Sequence, residues 1–458
     1  MSDLSAAFRY IDDHSEELIA EYQRLVRQPS VSSSGEGVAE CAELLVELMT
    51  AAGMEARAVP TAGQPVVFGE VRSNTPDAPT LLHYSHYDVQ PGDAADPLWD
   101  APPFEAQRFG DRIVGRGTTD AKGNVMAFVQ AVKALNATTG LPVNLKFIFD
   151  GEEESGSPSL PGFVEEHREM LAADALLGFD GGFRAGDKPH VSLGNSGLLT
   201  CQLRAMGGAK DLHSARARLV PNAAWKLVWA LNSMKGPDGQ VNIAGFYDDV
   251  RQVTEREREL LEEAGFFDPD WHEDLGVDRF LNDVTGVDAL EQLLFTPTCN
   301  INGFASGFVG DGAKTLLPST ATVNLDFRLV MDQDPVDIFN KLRKHLDDSG
   351  FEDIELLERG FIEPSRTDAD APFARVVAEA AREVLDREPS LWPTGDASGR
   401  TTHWIATRLG IQSAGTGIGP PDWRGHAANE FMLVPYFLNG IKYAARIWDM
   451  VGERGGVD

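Results

Sequence analysis

The apolar positions of this chain follow two rhythms. In residues 4–26, Leu18, Ile19, Tyr22, Leu25 and Val26 recur near helical spacing, which predicts an amphipathic helix. Residues 28–37 read as a loop rich in Pro, Ser and Gly, and 38–52 as a second helix stopped by Gly53. Short apolar runs predict strands at 80–84, 143–149 and 175–179, with an apolar helix at 125–135. Strands alternating with helices imply an α/β sheet covered on both faces.

The pattern changes near residue 197. Residues 198–206 read as a strand, and 221–234 as a helix begun by Pro221. Residues 320–330 alternate, with Val323, Leu325, Phe327 and Leu329 facing one way and Thr322, Asn324, Asp326 and Arg328 the other. A helix at 335–346 and a strand at 351–357 complete strand–helix–strand twice over, a two-layer, ferredoxin-like α+β pattern. The charged stretch 248–276 reads as a solvated helical insertion. After residue 365 the α/β style returns, with helices at 373–385 and 434–450 around a Gly-rich strand end at 413–419. The expected architecture is a large α/β domain (1–197 and 367–458) interrupted by an inserted α+β domain (198–366).

Composition narrows the function. The 458 residues suit two large domains or three smaller ones. Lys and Arg total 40 against 71 Asp and Glu, a net charge of −31, which argues against nucleic acid and anionic membranes as partners. No apolar run approaches the roughly 18 residues that span a bilayer, and residues 1–9 do not resemble a signal peptide. Cys41, Cys201 and Cys299 are odd in number and far apart, so neither a disulfide framework nor a Cys-rich zinc site is expected. A reducing cytoplasm is the expected compartment.

Chemistry-bearing residues gather at strand ends. His86-Tyr-Asp88 follows the first strand, Asp150-Gly-Glu152-Glu153-Glu154-Ser-Gly-Ser the next, and Asp180-Gly-Gly the third; Gly115-Arg-Gly-Thr-Thr-Asp120-Ala-Lys-Gly precedes a helix. Gly425-His426-Ala-Ala-Asn-Glu430 comes near the C-terminus. Singly these are weak signals: a His-X-Asp is usually a surface pair, an Asp before a helix an N-cap, and a Glu run a solvated helix start. Together they supply what two neighbouring divalent ions need: a carboxylate able to bridge, terminal His and carboxylate ligands, and one acid left free as a base.

The ordered set resembles the M20 family of dinuclear metallopeptidases, and most of all its branch of carnosine-type and Cys-Gly dipeptidases. The likeness extends through Asp211-Leu-His213-Ser, Gly312-Ala-Lys-Thr315-Leu-Leu-Pro and Phe327-Arg328-Leu-Val. It implies two divalent ions per subunit, zinc first, with manganese or cobalt as alternatives. By this resemblance His86 and Asp180 hold one ion, Glu154 and His426 the other, and Asp120 bridges them. Asp88 orients His86, and Glu153 is the general base for a water between the ions. Glu152 is left without a role, expected in solvent. The resemblance further gives His213 to the oxyanion, often from across a dimer, Arg328 to the substrate carboxylate, and Thr315 to a substrate contact.

The sequence also departs from that branch. Ser85 stands where glycine usually precedes His86, Gly181-Gly182 follows Asp180 where bulkier residues are usual, and the Gly-Gly-Ser-Ile-Pro segment becomes Gly395-Asp-Ala-Ser398-Gly-Arg400. Ser398 keeps a candidate substrate contact, Arg400 adds a charge, and His403 follows with no assigned role. The expected activity is metal-dependent hydrolysis of small peptides, above all dipeptides with a free C-terminal carboxylate. The alternative is an N-acyl-amino-acid amidohydrolase. Both imply a small-molecule substrate and a homodimer joined through the inserted domain. A catalytically silent binding protein on this scaffold would be expected to lack a ligand or Glu153, and all are present.

Overall fold

Three apolar runs, Thr80–His86, Asn144–Asp150 and Ala175–Phe179, lie parallel at the middle of an eight-stranded sheet in the computed structural model, which describes residues 4–457 apart from 94, 185, 266 and 267. Across the sheet the order is Glu55–Val59, Val66–Val71, Asn144–Asp150, Thr80–His86, Ala175–Phe179, Gln412–Thr416, His190–Ser192 and Ser390–Trp392. The first two strands run antiparallel to their neighbours. Central strands covered on both faces have no polar side, which is why they read as continuous apolar runs. Leu81, Leu145, Phe147 and Leu177 enter a core with helices Lys122–Asn136, Pro372–Leu385 and Val434–Arg454. Leu82, Tyr84, Ile148 and Leu176 enter the opposite core with Leu160–Glu166 and Thr402–Leu409. Lys122–Asn136 is buried on almost every face, because helices cover its outer side as well.

The predicted helix at 4–26 is two helices, Ser5–Asp13 and Ser15–Arg27, broken at His14, where φ is −106° and ψ 14°. The His14 ring stacks on Tyr10 there.

The second sheet has four antiparallel strands in the order Asn300–Ser306, Thr320–Leu329, Gly197–Met206, Glu355–Ile362. Taken in chain order this is 2-3-1-4, the ferredoxin-like arrangement expected from the pattern. Its buried positions, among them Leu199, Leu203, Val323, Leu325 and Phe327, share a separate core with helices Ala223–Met234 and Pro335–Asp348. The first of these helices begins later than predicted. Asn222 is its cap, accepting from the Ala224 and Trp225 amides at 2.8 and 3.2 Å, and Pro221 precedes the cap.

The charged stretch is not solvated all round. Helix Glu255–Ala264 opens with a capping box between Thr254 and Glu257. Glu257 is buried against Arg251 and Arg366, and Leu261 packs with Leu290, Leu294 and Trp392 at the edge strand of the large sheet. The two chain crossings between the sheets run side by side, with Ser365–Arg366 paired antiparallel to Gly194–Asn195.

Candidate metal centre

The site lies beyond the carboxyl ends of the parallel strands, where an α/β sheet collects ligands. His86 is the last residue of its strand and fully buried. Its Nδ1 sits 3.0 Å from the Asp88 carbonyl oxygen and 3.4 Å from Asp88 Oδ1. That turns Nε2 toward Asp120 Oδ1 at 3.0 Å and Asp180 Oδ1 at 3.7 Å. The other Asp120 oxygen, Oδ2, lies 3.1 Å from His426 Nε2, which is 3.3 Å from Glu154 Oε2. Two triads therefore share Asp120: His86, Asp120 and Asp180, and Asp120, Glu154 and His426, with the ligand atoms of each within 4.8 Å of one another.

These residues fit two divalent cations. His86 Nε2 is buried with no hydrogen-bond partner although carboxylates face it. Each Asp120 oxygen faces a different imidazole, as a bridging carboxylate must. The donors are nitrogen and carboxylate oxygen, a mix that zinc, manganese and cobalt accept.

Asp88 does two things at once. Besides facing His86, its carboxylate accepts from the Glu153 and Glu154 amides at 3.1 and 3.0 Å, fixing the short turn Glu153–Ser155 that carries both glutamates. Gln90 Nε2 donates to Glu154 at 2.8 Å, while Glu153 stands outside both triads.

The electrostatics of the cluster call for added positive charge. Burial, then Asp180, Asp120 and Glu154, push the Glu153 carboxyl well above the usual carboxylate range against the pull of His86. Burial and Asp120 push Glu154 up to about 7 against His86, Gln90 and His426. Burial disfavours a charged His86, yet the carboxylates of Asp120, Asp180 and Asp88 around it hold it well above an ordinary imidazole. The Asp120 hydrogen bond lifts His426 to about 9 against burial. Protons here stand in for charge that divalent cations would supply.

Two buried residues hold the loops, and neither was assigned from sequence. Glu430 Oε1 accepts from the Thr119 and Asp120 amides at 2.9 and 3.1 Å. Its Oε2 accepts from the Gly117 amide at 3.0 Å and Arg116 Nη1 at 2.7 Å. Arg116 Nη2 continues to the His426 carbonyl at 3.1 Å. Asn124 donates to the Thr119 and Gly181 carbonyls at 2.8 and 3.2 Å and accepts from the Ile418 amide at 3.1 Å. The Gly181-Gly182 departure has a steric reason: Gly181 has φ +69°, and a Cβ on Gly182 would lie 2.2 Å from the Gly419 carbonyl oxygen.

The remaining candidates fall into two groups. Arg328 Nη1 donates to Ser398 Oγ at 3.1 Å, and a Cβ on the next residue, Gly399, would lie 4.0 Å from Glu153 Oε1. His213 and Thr315 come together on the exposed ribbon of Leu212–His213 and Leu316–Leu317, where the Ser214 amide donates to the Thr315 carbonyl at 3.2 Å. His213 Nδ1 accepts from the Ala215 amide at 3.2 Å, and among the described residues no hydrogen bond or ion pair joins it to the carboxylate cluster. His403 is buried between Ser413 and Ser192 at 2.9 and 3.1 Å, and His83 accepts from Trp448 Nε1 at 2.7 Å, so both belong to the core. Glu152 is not simply solvated: it accepts from the Gln64 and Ser159 amides at 3.0 and 3.1 Å.

The sequence profile of peptidase family M20/M25/M40 matches residues 82–450, a span that includes both triads. The chain belongs to this family. Among curated M20 relatives, the Cys-Gly metallodipeptidase DUG1 of Candida albicans is 27% identical over 474 aligned positions, covering 96% of this chain and 95% of that one. The Beta-Ala-His dipeptidase of Rattus norvegicus is 29% identical over 287 positions, covering 62% of this chain. That match spans only 58% of the rat protein's length. Among solved structures, the M20 family metallo-carboxypeptidase Sso-CP2 from Sulfolobus solfataricus superposes with a TM-score of 0.88 at 36% identity, covering 95% of this chain and 99% of that one. No described helix is long and apolar enough to cross a membrane.

Proposed function

We propose that this M20 protein is a metal-dependent peptidase that hydrolyses the amide bond of small peptides, foremost dipeptides with a free C-terminal carboxylate. One observation carries the reading: two ligand triads share Asp120, and a half-buried carboxylate, Glu153, stands beside them outside both triads. His86 and Asp180 would hold one ion, Glu154 and His426 the other, with Asp120 between. Zinc suits the donors best, with manganese or cobalt as alternatives. Two bound divalent cations supply Lewis acidity, polarising a carbonyl and acidifying an attacking water. Glu153 takes the proton of that water and returns it to the leaving amine. Arg328 grips the substrate carboxylate, a bidentate task suited to guanidinium, with Ser398 alongside, and Thr315 contacts substrate from the ribbon that carries His213. His213 donates to the developing oxyanion. The relatives, two of them named dipeptidases and one a carboxypeptidase, support a substrate with a free C-terminus.

Among the described residues no hydrogen bond or ion pair joins His213 to the cluster, so it reaches substrate from a partner subunit or when the lobes close. We propose a homodimer through the inserted domain (198–366), which interrupts a catalytic domain of residues 1–197 and 367–458. The supporting surface is apolar and exposed: Trp225 and Trp229, 55% and 58% accessible, stack on helix Ala223–Met234, and Ile301 and Phe304 stand exposed on the edge strand Asn300–Ser306. Free buried thiols at Cys41, Cys201 and Cys299 suit a reducing cytoplasm.

The test is a turnover panel of Ala-Ala, Cys-Gly and β-Ala-His against N-acetyl and longer N-acyl amino acids, with zinc, manganese and cobalt in turn. Peptide turnover is expected. Turnover of acylated compounds alone would overturn the dipeptide reading in favour of an amidohydrolase.

A further inference from the structure

The segment Gly395–Arg400 is wired to both lobes. The Gly395 amide donates to the Gly194 carbonyl at 2.8 Å, the Ser196 amide to the Ala397 carbonyl at 3.0 Å, and Asn195 Nδ2 to the Gly399 carbonyl at 2.8 Å. Gly194 and Asn195 form half of the two-stranded crossing between the sheets, so this loop buttresses the junction. Ser398 donates to the Gly197 carbonyl at 3.0 Å and accepts from Arg328. Arg400 then spans the gap: Nη1 donates to the Gly156 carbonyl at 2.9 Å and Nη2 to the Phe361 carbonyl at 2.6 Å.

The two acceptors differ in what they carry. Phe361 belongs to strand Glu355–Ile362 of the inserted sheet. Gly156, at φ +82°, closes the turn Glu153–Ser155, with its amide on the Glu153 carbonyl at 2.7 Å. That turn is held from one end by Asp88 and from the other by Arg400.

We propose that Arg400 is a positioning residue: its guanidinium fastens the Glu153 turn to the inserted sheet, so that the placement of the base depends on the lobe that carries Arg328. The inference rests on Glu153 being the base, as proposed above. A planar fork with donors on two arms can hold both carbonyls at once, whereas a lysine ammonium at the same place would reach one. Arg400 itself need not touch substrate. A displacement of Glu153 by about 1 Å would cost on the order of 100-fold in rate.

The test compares wild type with Arg400→Ala and Arg400→Lys, each loaded with metal, on whichever panel substrate the wild type turns over best. We expect R400A to lose roughly 10- to 100-fold in kcat with KM changed by less than about threefold, metal content unchanged, and R400K to fall between. If R400A does not fold, R400M, which keeps the aliphatic stem, carries the same expectation. Unchanged kcat in R400A, or a loss confined to KM, overturns the positioning role; the second result would make Arg400 a substrate-binding group. A wild type idle on every panel substrate overturns the functional reading and this inference with it.

Discussion

Glu430→Gln is a demanding perturbation, because the native carboxylate serves four donors: the Gly117, Thr119 and Asp120 amides and Arg116. A carboxamide has one oxygen. With that oxygen on the Thr119 and Asp120 amides, its NH2 group faces the Gly117 amide and the Arg116 guanidinium, donor against donor. Arg116 is 4% exposed, so its charge loses its counter-ion in a buried place. Breaking one side of a buried ion pair costs about 3–5 kcal/mol, and a stranded amide about 1–3 kcal/mol. These losses overlap, and Arg116 keeps the His426 and Pro91 carbonyls. The expected destabilisation is therefore about 4 kcal/mol, roughly 4 °C in melting temperature for a chain of 458 residues. Urea unfolding of the metal-free protein, monitored by far-ultraviolet circular dichroism, should show the midpoint falling with the slope preserved. A loss below about 1 kcal/mol would refute the reasoning, since it would mean that the carboxylate is solvated or the loop relaxes freely.

Asp88→Asn should weaken metal binding by roughly 10- to 100-fold in a chelator competition, because it removes the charge facing His86; unchanged affinity would count against that role. His403→Gln should change the acid dependence of stability. Burial holds His403 down at about 3, so the folded state stays neutral while the unfolded imidazole protonates below about 6.5. Stability conferred by this group is present above the unfolded value and is lost as pH falls from there toward 3, at up to about 1.4 kcal/mol per pH unit. The variant's stability should fall less steeply over that window, and parallel curves would contradict this. Trp225→Ser with Trp229→Ser should lower the light-scattering mass from near twice the 49.8 kDa chain mass toward one chain; a wild type already at one chain would rule out the dimer.

What the sequence revealed depended on what each residue faces. Val323, Leu325, Phe327 and Leu329 alternate visibly because their strand has one covered face. Glu55–Val59 and Asn300–Ser306 escaped notice because they are mostly exposed edge strands whose side chains follow no apolar rhythm. Helix Glu255–Ala264 read as solvated because its buried contacts come from only three apolar residues, Leu260, Leu261 and Ala264, and from Glu257, a charge that only its arginine partners explain. The carboxylates and histidines that the fold gathers were visible as motifs, three at strand ends, one before a helix and one near the C-terminus. Glu430 and Asn124 were not, because, apart from Arg116, their partners are backbone amides and carbonyls that carry no sequence signature. Likewise, nothing in the spacing of Arg400 predicts two carbonyl acceptors on different lobes.

In the proposed mechanism Glu153 works as a base beside two bound ions without holding either. Glu153→Gln tests it most directly when metal content and dipeptide turnover are measured on the same preparation. The expected result is two ions per chain, as in wild type, with turnover reduced on the order of 100-fold or more. Turnover near the wild-type rate with both ions in place would contradict it, and so would the loss of an ion with the substitution.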